Sequence, residues 1–188
     1  MHLLAISPGE GFDRERWRAV LHSGVDALMI REKALEARAL LELARWCRAE
    51  APDVELWVNG RLDVALAADC GLHAPEAYPE LPSDLVRLSR PLHDPAQAAG
   101  RLGAAQLLLS PVFPVPGKGE AFGAEGLHRR LDALPPFRGR LLALGGITPA
   151  NAAELRHPRL DGLALIRALW NSGEPGHAVE ALRKAWPA

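Results

Sequence analysis

The 188-residue sequence predicts one compact α/β domain of (β/α)8 TIM-barrel type, spanning residues 1–188. Three observations predict it. Eight short apolar runs recur along the chain, amphipathic stretches lie between them, and no linker-like segment divides them. The length suits a domain with its own core. An open doubly wound sheet is the competing arrangement of the same alternation.

The apolar runs are residues 3–7, 27–31, 55–58, 71–73, 86–89, 106–109, 141–144 and 162–166. Each is bounded by polar or turn residues and reads as a buried parallel strand. Leu40, Leu43 and Trp46/Cys47 recur on one helical face, and Leu62, Ala65, Leu66 and Ala67 form a short helix after Asn59-Gly60. Asp94-Pro95 and Thr148-Pro149 each place a capping side chain before a proline suited to the first helical position. The Pro/Gly-rich stretch 111–123 is a candidate functional loop.

Composition excludes several classes of function. Lys and Arg number 22 against 23 Asp and Glu, so there is no basic excess for nucleic acid. The two cysteines, Cys47 and Cys70, form no CxxC or Cys/His metal pattern and read as buried thiols of a reducing compartment. No apolar stretch reaches the ~18 residues of a membrane span. The start, Met1 followed by Leu3-Leu4-Ala5-Ile6, lacks a basic segment before a long apolar run, so a cytoplasmic location is expected.

In such a barrel, chemistry sits just after each strand. The second strand ends in Arg31-Glu32-Lys33, the third in Asn59-Gly60-Arg61, and the fifth is followed by His93. The sixth leads through Ser110 to the loop bearing Lys118, the seventh to Gly145-Gly146, and the eighth to Ile166-Arg167. Paired glycines let backbone N–H groups approach an anion, and the loops after strands seven and eight are where barrels hold phosphate. A tight turn requiring positive φ is the alternative reading. Arg31, Lys33 and Lys118 suit a carboxylate or phosphate ligand. Arg31, last in its strand, is expected to face inward, whereas Lys33 alone reads as solvated rim. His93 suits a proton shuttle near neutral pH, or a surface or capping histidine; His73 carries the same ambiguity.

Taken together, Ile30-Arg31-Glu32-Lys33, Asn59-Gly60-Arg61-Leu62-Asp63, Gly71-Leu72-His73, Pro111-Val112-Phe113-Pro114 with Lys118, Ala143-Leu144-Gly145-Gly146-Ile147 and 162–166 resemble the thiamine phosphate synthase/TenI superfamily, nearly end to end. The resemblance implies a barrel that binds a thiazole phosphate at Gly145, Gly146 and the Ile166-Arg167 backbone, with dimers or higher homo-oligomers as the expected assembly. It also implies one of two reactions. The synthase joins a pyrimidine pyrophosphate to the thiazole phosphate with Mg²⁺; the TenI type aromatises a carboxythiazole phosphate by moving a proton.

Against the synthase pattern, Met29 replaces a pyrimidine-contacting glutamine, and Gly60 and a position near Tyr78 replace two metal carboxylates. Mg²⁺ prefers carboxylate and water oxygens. Asn59-Gly60-Arg61-Leu62-Asp63 is the TenI-like form, and Arg90-Pro91-Leu92-His93 matches the segment bearing one TenI histidine. Pro111 stands where the other would be. The expectation is therefore a thiazole tautomerase without a metal or cofactor. His93 moves the proton, Arg31, Lys33, Asn59 and Lys118 contact the substrate, and Gly145, Gly146, Ile166 and Arg167 hold its phosphate. The alternatives are a Mg²⁺-dependent thiamine phosphate synthase and a non-catalytic thiazole-phosphate-binding barrel. In each case the partner is a small phosphorylated molecule, not nucleic acid or membrane.

Overall fold

The structure, a computed structural model, describes residues 1–82 and 84–186. Eight parallel strands close into a barrel in sequence order. They are β1 (His2–Ile6), β2 (Ala27–Ile30), β3 (Glu55–Asn59), β4 (Gly71–His73), β5 (Leu88–Leu92), β6 (Gln106–Leu109), β7 (Arg140–Leu144) and β8 (Gly162–Leu165). Helices α1 (Arg14–Leu21), α2 (Ala37–Glu50), α3 (Leu62–Ala67), α4 (Gly123–Ala133), α5 (Arg167–Trp170) and α6 (Pro175–Ala185) accompany them. Short 3₁₀ turns at Pro95–Arg101 and Ala152–Leu155 stand in two of the remaining connections. The expected fold is borne out.

Local chemistry explains most of these elements. Asp13 starts α1 by accepting the Arg16 N–H at 2.9 Å. Helix α2 buries Leu40, Leu43, Ala44 and Cys47, the face its spacing predicts. Asp94 accepts the Ala96 N–H at 2.8 Å and forms a capping box with Gln97, although the turn it starts is 3₁₀. Thr148 does not cap as expected. Its own N–H donates to Asn151 Oδ1 at 2.8 Å, and the short turn starts only after Asn151.

The fifth strand also differs. It was expected at 86–89 and lies at Leu88–Leu92, with Pro91 inside it. A proline is normally excluded from a central strand because it cannot donate. Here Ser89 O accepts from Ala74 N on the β4 side, so Pro91, two residues on, faces the same way. Strand β4 has already ended at His73, so no ladder bond is lost. The Pro91 carbonyl is taken instead by the Arg101 guanidinium.

Alternation along each strand separates two cores. Leu4, Ile6, Ala27, Met29, Trp57, Leu108, Leu142 and Ala164 fill the barrel interior. Fully buried Trp57 stands over Gly71, where a Cβ would overlap its ring. The other parity, including Leu3, Leu28, Val58 and Leu163, packs outward in a larger cluster. Burial pushes the thiols of Cys47 and Cys70 up to about 12 and about 11, as inert buried groups require.

Closure of the barrel rests on β1 against β8, in register from His2 opposite Gly162 to Ala5 opposite Leu165. A Cβ at Gly162 would overlap the His2 backbone. We expect Gly162→Ala to cost about 3 kcal/mol, the upper part of the overpacking range, or to prevent folding. Gly100→Ala, with nothing near the added carbon, is the control and should change stability by less than about 1 kcal/mol. Urea unfolding of both variants checks this.

Candidate active site

The strand ends that carry the predicted residues surround one mouth of the barrel. At β7 the chain turns through Gly145 (φ +110°) and Gly146 (φ +65°). The base of the 111–123 loop crosses this turn. A Cβ on Gly145 would stand 3.1 Å from Pro111 Cα, and one on Gly146 would stand 2.6 Å from Phe113 Cβ. The carbonyls here are occupied. Leu144 O and Gly145 O accept the Val112 and Phe113 N–H groups, each at 3.0 Å, and Gly146 O accepts Asn151 Nδ2 at 3.0 Å. Most of the amides are not. The Gly145 N–H faces Ala164 O across the β7–β8 pairing, whereas among the described residues the backbone N–H groups of Gly146, Ile166 and Arg167 meet no protein acceptor. The turn that ties up the carbonyls thus leaves donors facing away from them, an arrangement suited to an anion.

The loop itself is pinned at its base. Phe122 N–H bonds Pro111 O at 3.2 Å, Gly123 N–H bonds Val112 O at 2.8 Å, and the Ser110–Pro111 peptide is cis. Lys118 lies exposed toward its tip.

The strand-two triplet divides into three roles. Arg31 follows inward-facing Met29 by two residues, its N–H bonds Ser7 Oγ at 2.8 Å, and Nη1 reaches Pro8 O at 3.3 Å. Glu32 is buried and accepts the N–H groups of Gly9 (3.1 Å) and Gly11 (2.8 Å), so it clamps the β1–α1 loop. Lys33 is exposed. Asn59 ends β3 half-buried. Asp63 is paired with Arg61 at 2.6 Å, which holds its carboxyl below the usual range.

His93 sits exposed on the rim. Its Nδ1–H donates to Ser110 O at 2.7 Å, which leaves Nε2 as the nitrogen turned away from that bond. That nitrogen lies 3.9 Å from Glu76 Oε2. Glu76 is in turn engaged by Arg101 at 2.5 Å and Gln97 at 3.1 Å. His93 therefore straps β5 to β6 and presents Nε2 beside a carboxylate.

Two further groups stand at this end: His73, for which the sequence leaves a proton shuttle and a surface histidine open, and Arg90. His73 faces the barrel interior at the end of β4, with Nδ1 2.8 Å from Ser89 Oγ. Ser89 Oγ also accepts Gln106 Nε2 at 3.1 Å. Burial, then the charges of Arg31 and Arg90, push the His73 ring down to about 4. Arg90, itself buried, is paired only with exposed Glu80 at 3.2 Å among the described residues. The legible signal was polar residues placed inside apolar strands: Ser89 and Gln106 sit at the same register as His73.

A cavity of about 510 Å³ opens at the opposite, amino-terminal face, lined by Glu55, Arg87, Arg138 and Arg140 among others. Glu55 already pairs with Arg87 and, at 2.6 Å, with Arg140. None of the predicted site residues lines it. Among the described residues no group of three or more His, Cys, Asp or Glu could hold a metal ion. Among them, too, no helix is long and apolar enough to cross a membrane.

The depressed His73 ring carries a pH dependence. The unfolded chain binds a proton near the ordinary 6.5, the folded chain only near 4. Stability is therefore full above 6.5, falls as pH drops through this window, and loses on the order of 3 kcal/mol by its lower end. Urea unfolding of wild type and His73→Gln across the window should show a shallower acid slope in the variant.

Comparison with known proteins places this geometry in context. A model of the family described as "Thiamine monophosphate synthase" matches residues 5–169. The thiamine-phosphate synthase of Moorella thermoacetica is 34% identical over 183 residues, covering 89% of this chain and 85% of that protein. That of Syntrophomonas wolfei is 32% identical over 183 residues, covering 92% and 88%. The thiamine phosphate pyrophosphorylase structure from Pyrococcus furiosus superposes with a TM-score of 0.83 at 26% identity, covering 98% of this chain and 94% of that one. The chain belongs to the thiamine monophosphate synthase/TenI family.

Proposed function

We propose that this chain is an enzyme acting on a phosphorylated thiazole, and that it couples the thiazole to a pyrimidine pyrophosphate as the synthases it resembles are named for. The observation that carries the substrate class is the set of free amides at the adjacent ends of β7 and β8. Three donors with no protein acceptor, those of Gly146, Ile166 and Arg167, suit a phosphate group, and an anion there also gains from the strand-end cations. What supports the coupling over the tautomerisation expected from sequence is the naming of the Moorella and Syntrophomonas relatives.

The reaction class implies Mg²⁺, and the residues present do not fit it. Gly60 offers no side-chain oxygen, Asp63 is held by Arg61, and Glu76 is held by Arg101 and Gln97. No acidic trio exists among the described residues. In this reading Arg31, Lys33 and Lys118 supply the positive charge that a leaving pyrophosphate needs.

The same missing carboxylates favour a second reading, the tautomerase. There His93 Nε2 accepts the thiazole proton, with Arg31 orienting the carboxylate. One positioned base contributes about 10²–10⁴-fold. A non-catalytic thiazole-phosphate barrel is what remains if neither reaction occurs.

Two measurements decide among these. Purified protein given both phosphorylated substrates, with and without Mg²⁺, should form thiamine phosphate. If it instead only aromatises the carboxythiazole phosphate, and loses that activity in His93→Ala, the coupling assignment is wrong. Separately, Gly146→Ala pushes a methyl into Phe113 at a positive φ, so thiazole phosphate affinity should fall about tenfold or more by calorimetry. Unchanged affinity would remove the phosphate from this turn.

A further inference from the structure

Inside the mouth, three neutral side chains from consecutive strands form one hydrogen-bonded line. Gln106 Nε2 donates to Ser89 Oγ at 3.1 Å, and Ser89 Oγ lies 2.8 Å from His73 Nδ1. With Ser89 Oγ already accepting from Gln106, its own proton is free to go to His73 Nδ1. The ring is then the Nε2–H tautomer, and among the described residues Nε2 has no partner. His73 is 9% exposed, so this donor is enclosed but still touches solvent.

Gln106 Oε1, at the far end of the line, is a buried acceptor with no partner. A buried orphan of this kind costs free energy in the state that carries it, so a state that uses it is favoured to that extent. When His73 gains a second proton, Nδ1–H donates to Ser89 Oγ. The serine proton then turns away and needs an acceptor on the Gln106 side. Rotation of the Gln106 amide brings Oε1 to that place. The His73–Ser89 pair is therefore hydrogen-bonded in both protonation states of the ring, with one atom of the Gln106 amide left over in each: Oε1 in the neutral state, Nε2 in the protonated one.

We propose that His73 is a ligand-contacting residue of this mouth, and that an anionic group binding beside Arg31 meets its Nε2–H and draws one proton onto the ring. This rests on the reading that the mouth takes a phosphorylated substrate. The charges acting on the ring favour such coupling. Arg31 at the end of β2 and Arg90 on β5, the latter facing Glu80, repel a proton, while Asn59 on β3, Ser89 and Gln106 are neutral. An entering anion offsets that repulsion and supplies an acceptor for Nε2–H. The empty site keeps a neutral donor; the filled site keeps an imidazolium able to return its proton to the ligand.

Two readouts test this on the intact chain. The first is ¹⁵N NMR of the His73 ring in free wild type, which should show the neutral Nε2–H tautomer at neutral pH. A neutral Nδ1–H tautomer overturns the proposal, whatever the ligand. The second is calorimetry of thiazole phosphate, and of inorganic pyrophosphate, in buffers of different ionisation enthalpy. The pH is set between the ring's depressed value of about 4 and the ordinary 6.5. Wild type should take up about one proton more per ligand than His73→Gln, a difference that removes the ligand's own titration from the count. Gln106→Leu, which removes the spare acceptor, should bind with reduced uptake. Equal uptake in wild type and His73→Gln, with binding retained, overturns the role of His73 and leaves the proposed substrate standing. Failure of both ligands to bind overturns the substrate reading and this proposal with it.

Discussion

The side-chain parity of a closed parallel barrel is the constraint on which everything else here depends. Once β8 pairs with β1, no strand can shift by one residue without exchanging the two cores. That locks Leu4, Met29, Trp57 and Leu108 inside and Leu3, Leu28 and Val58 outside. It also decides that His73 and Ser89 face inward side by side, while Arg90, one residue from Ser89, lies on the other face. The glycines that permit closure are therefore part of the functional design. Gly162 lets β1 approach β8, and Gly71 makes room for the Trp57 ring that fills the barrel below the mouth.

Above that floor, the site is made mostly of backbone. Gly145 and Gly146 take positive φ because the loop after β6 crosses them closely, and the loop bonds their carbonyls rather than their amides. The phosphate site proposed for this turn would need few side chains, because backbone amides supply the donors. The side chains present are cations and neutral groups. The nearby carboxylates of Glu32, Asp63 and Glu76 are each tied to protein partners. The mouth is thus electrostatically prepared for an anion.

Much of this was legible in the sequence. Strands four and six were placed to the residue, because apolar β runs bounded by turn residues carry their own limits. The Gly145-Gly146 turn and the strand-end cations followed from the barrel rule and the resemblance. Strand five runs three residues beyond its expected end at Ser89 and takes in Pro91, which only the early end of β4 makes harmless, and that is a tertiary fact. Thr148 was misread for a similar reason, since Asn151 supplies the competing acceptor. The line from His73 through Ser89 to Gln106 joins residues 33 positions apart at its ends and needs the register of three strands to be seen. The family was readable from the order of motifs, but which reaction it runs was not. That choice turns on single positions, Gly60 and Pro111, whose effect depends on what their neighbours are doing.

The most direct test of the central claim is amide chemical-shift mapping as thiazole phosphate is titrated into the ¹⁵N-labelled protein. The account requires the largest changes at Gly145, Gly146, Ile166 and Arg167. Changes concentrated instead around Arg138 and Arg140, at the opposite face, would contradict it.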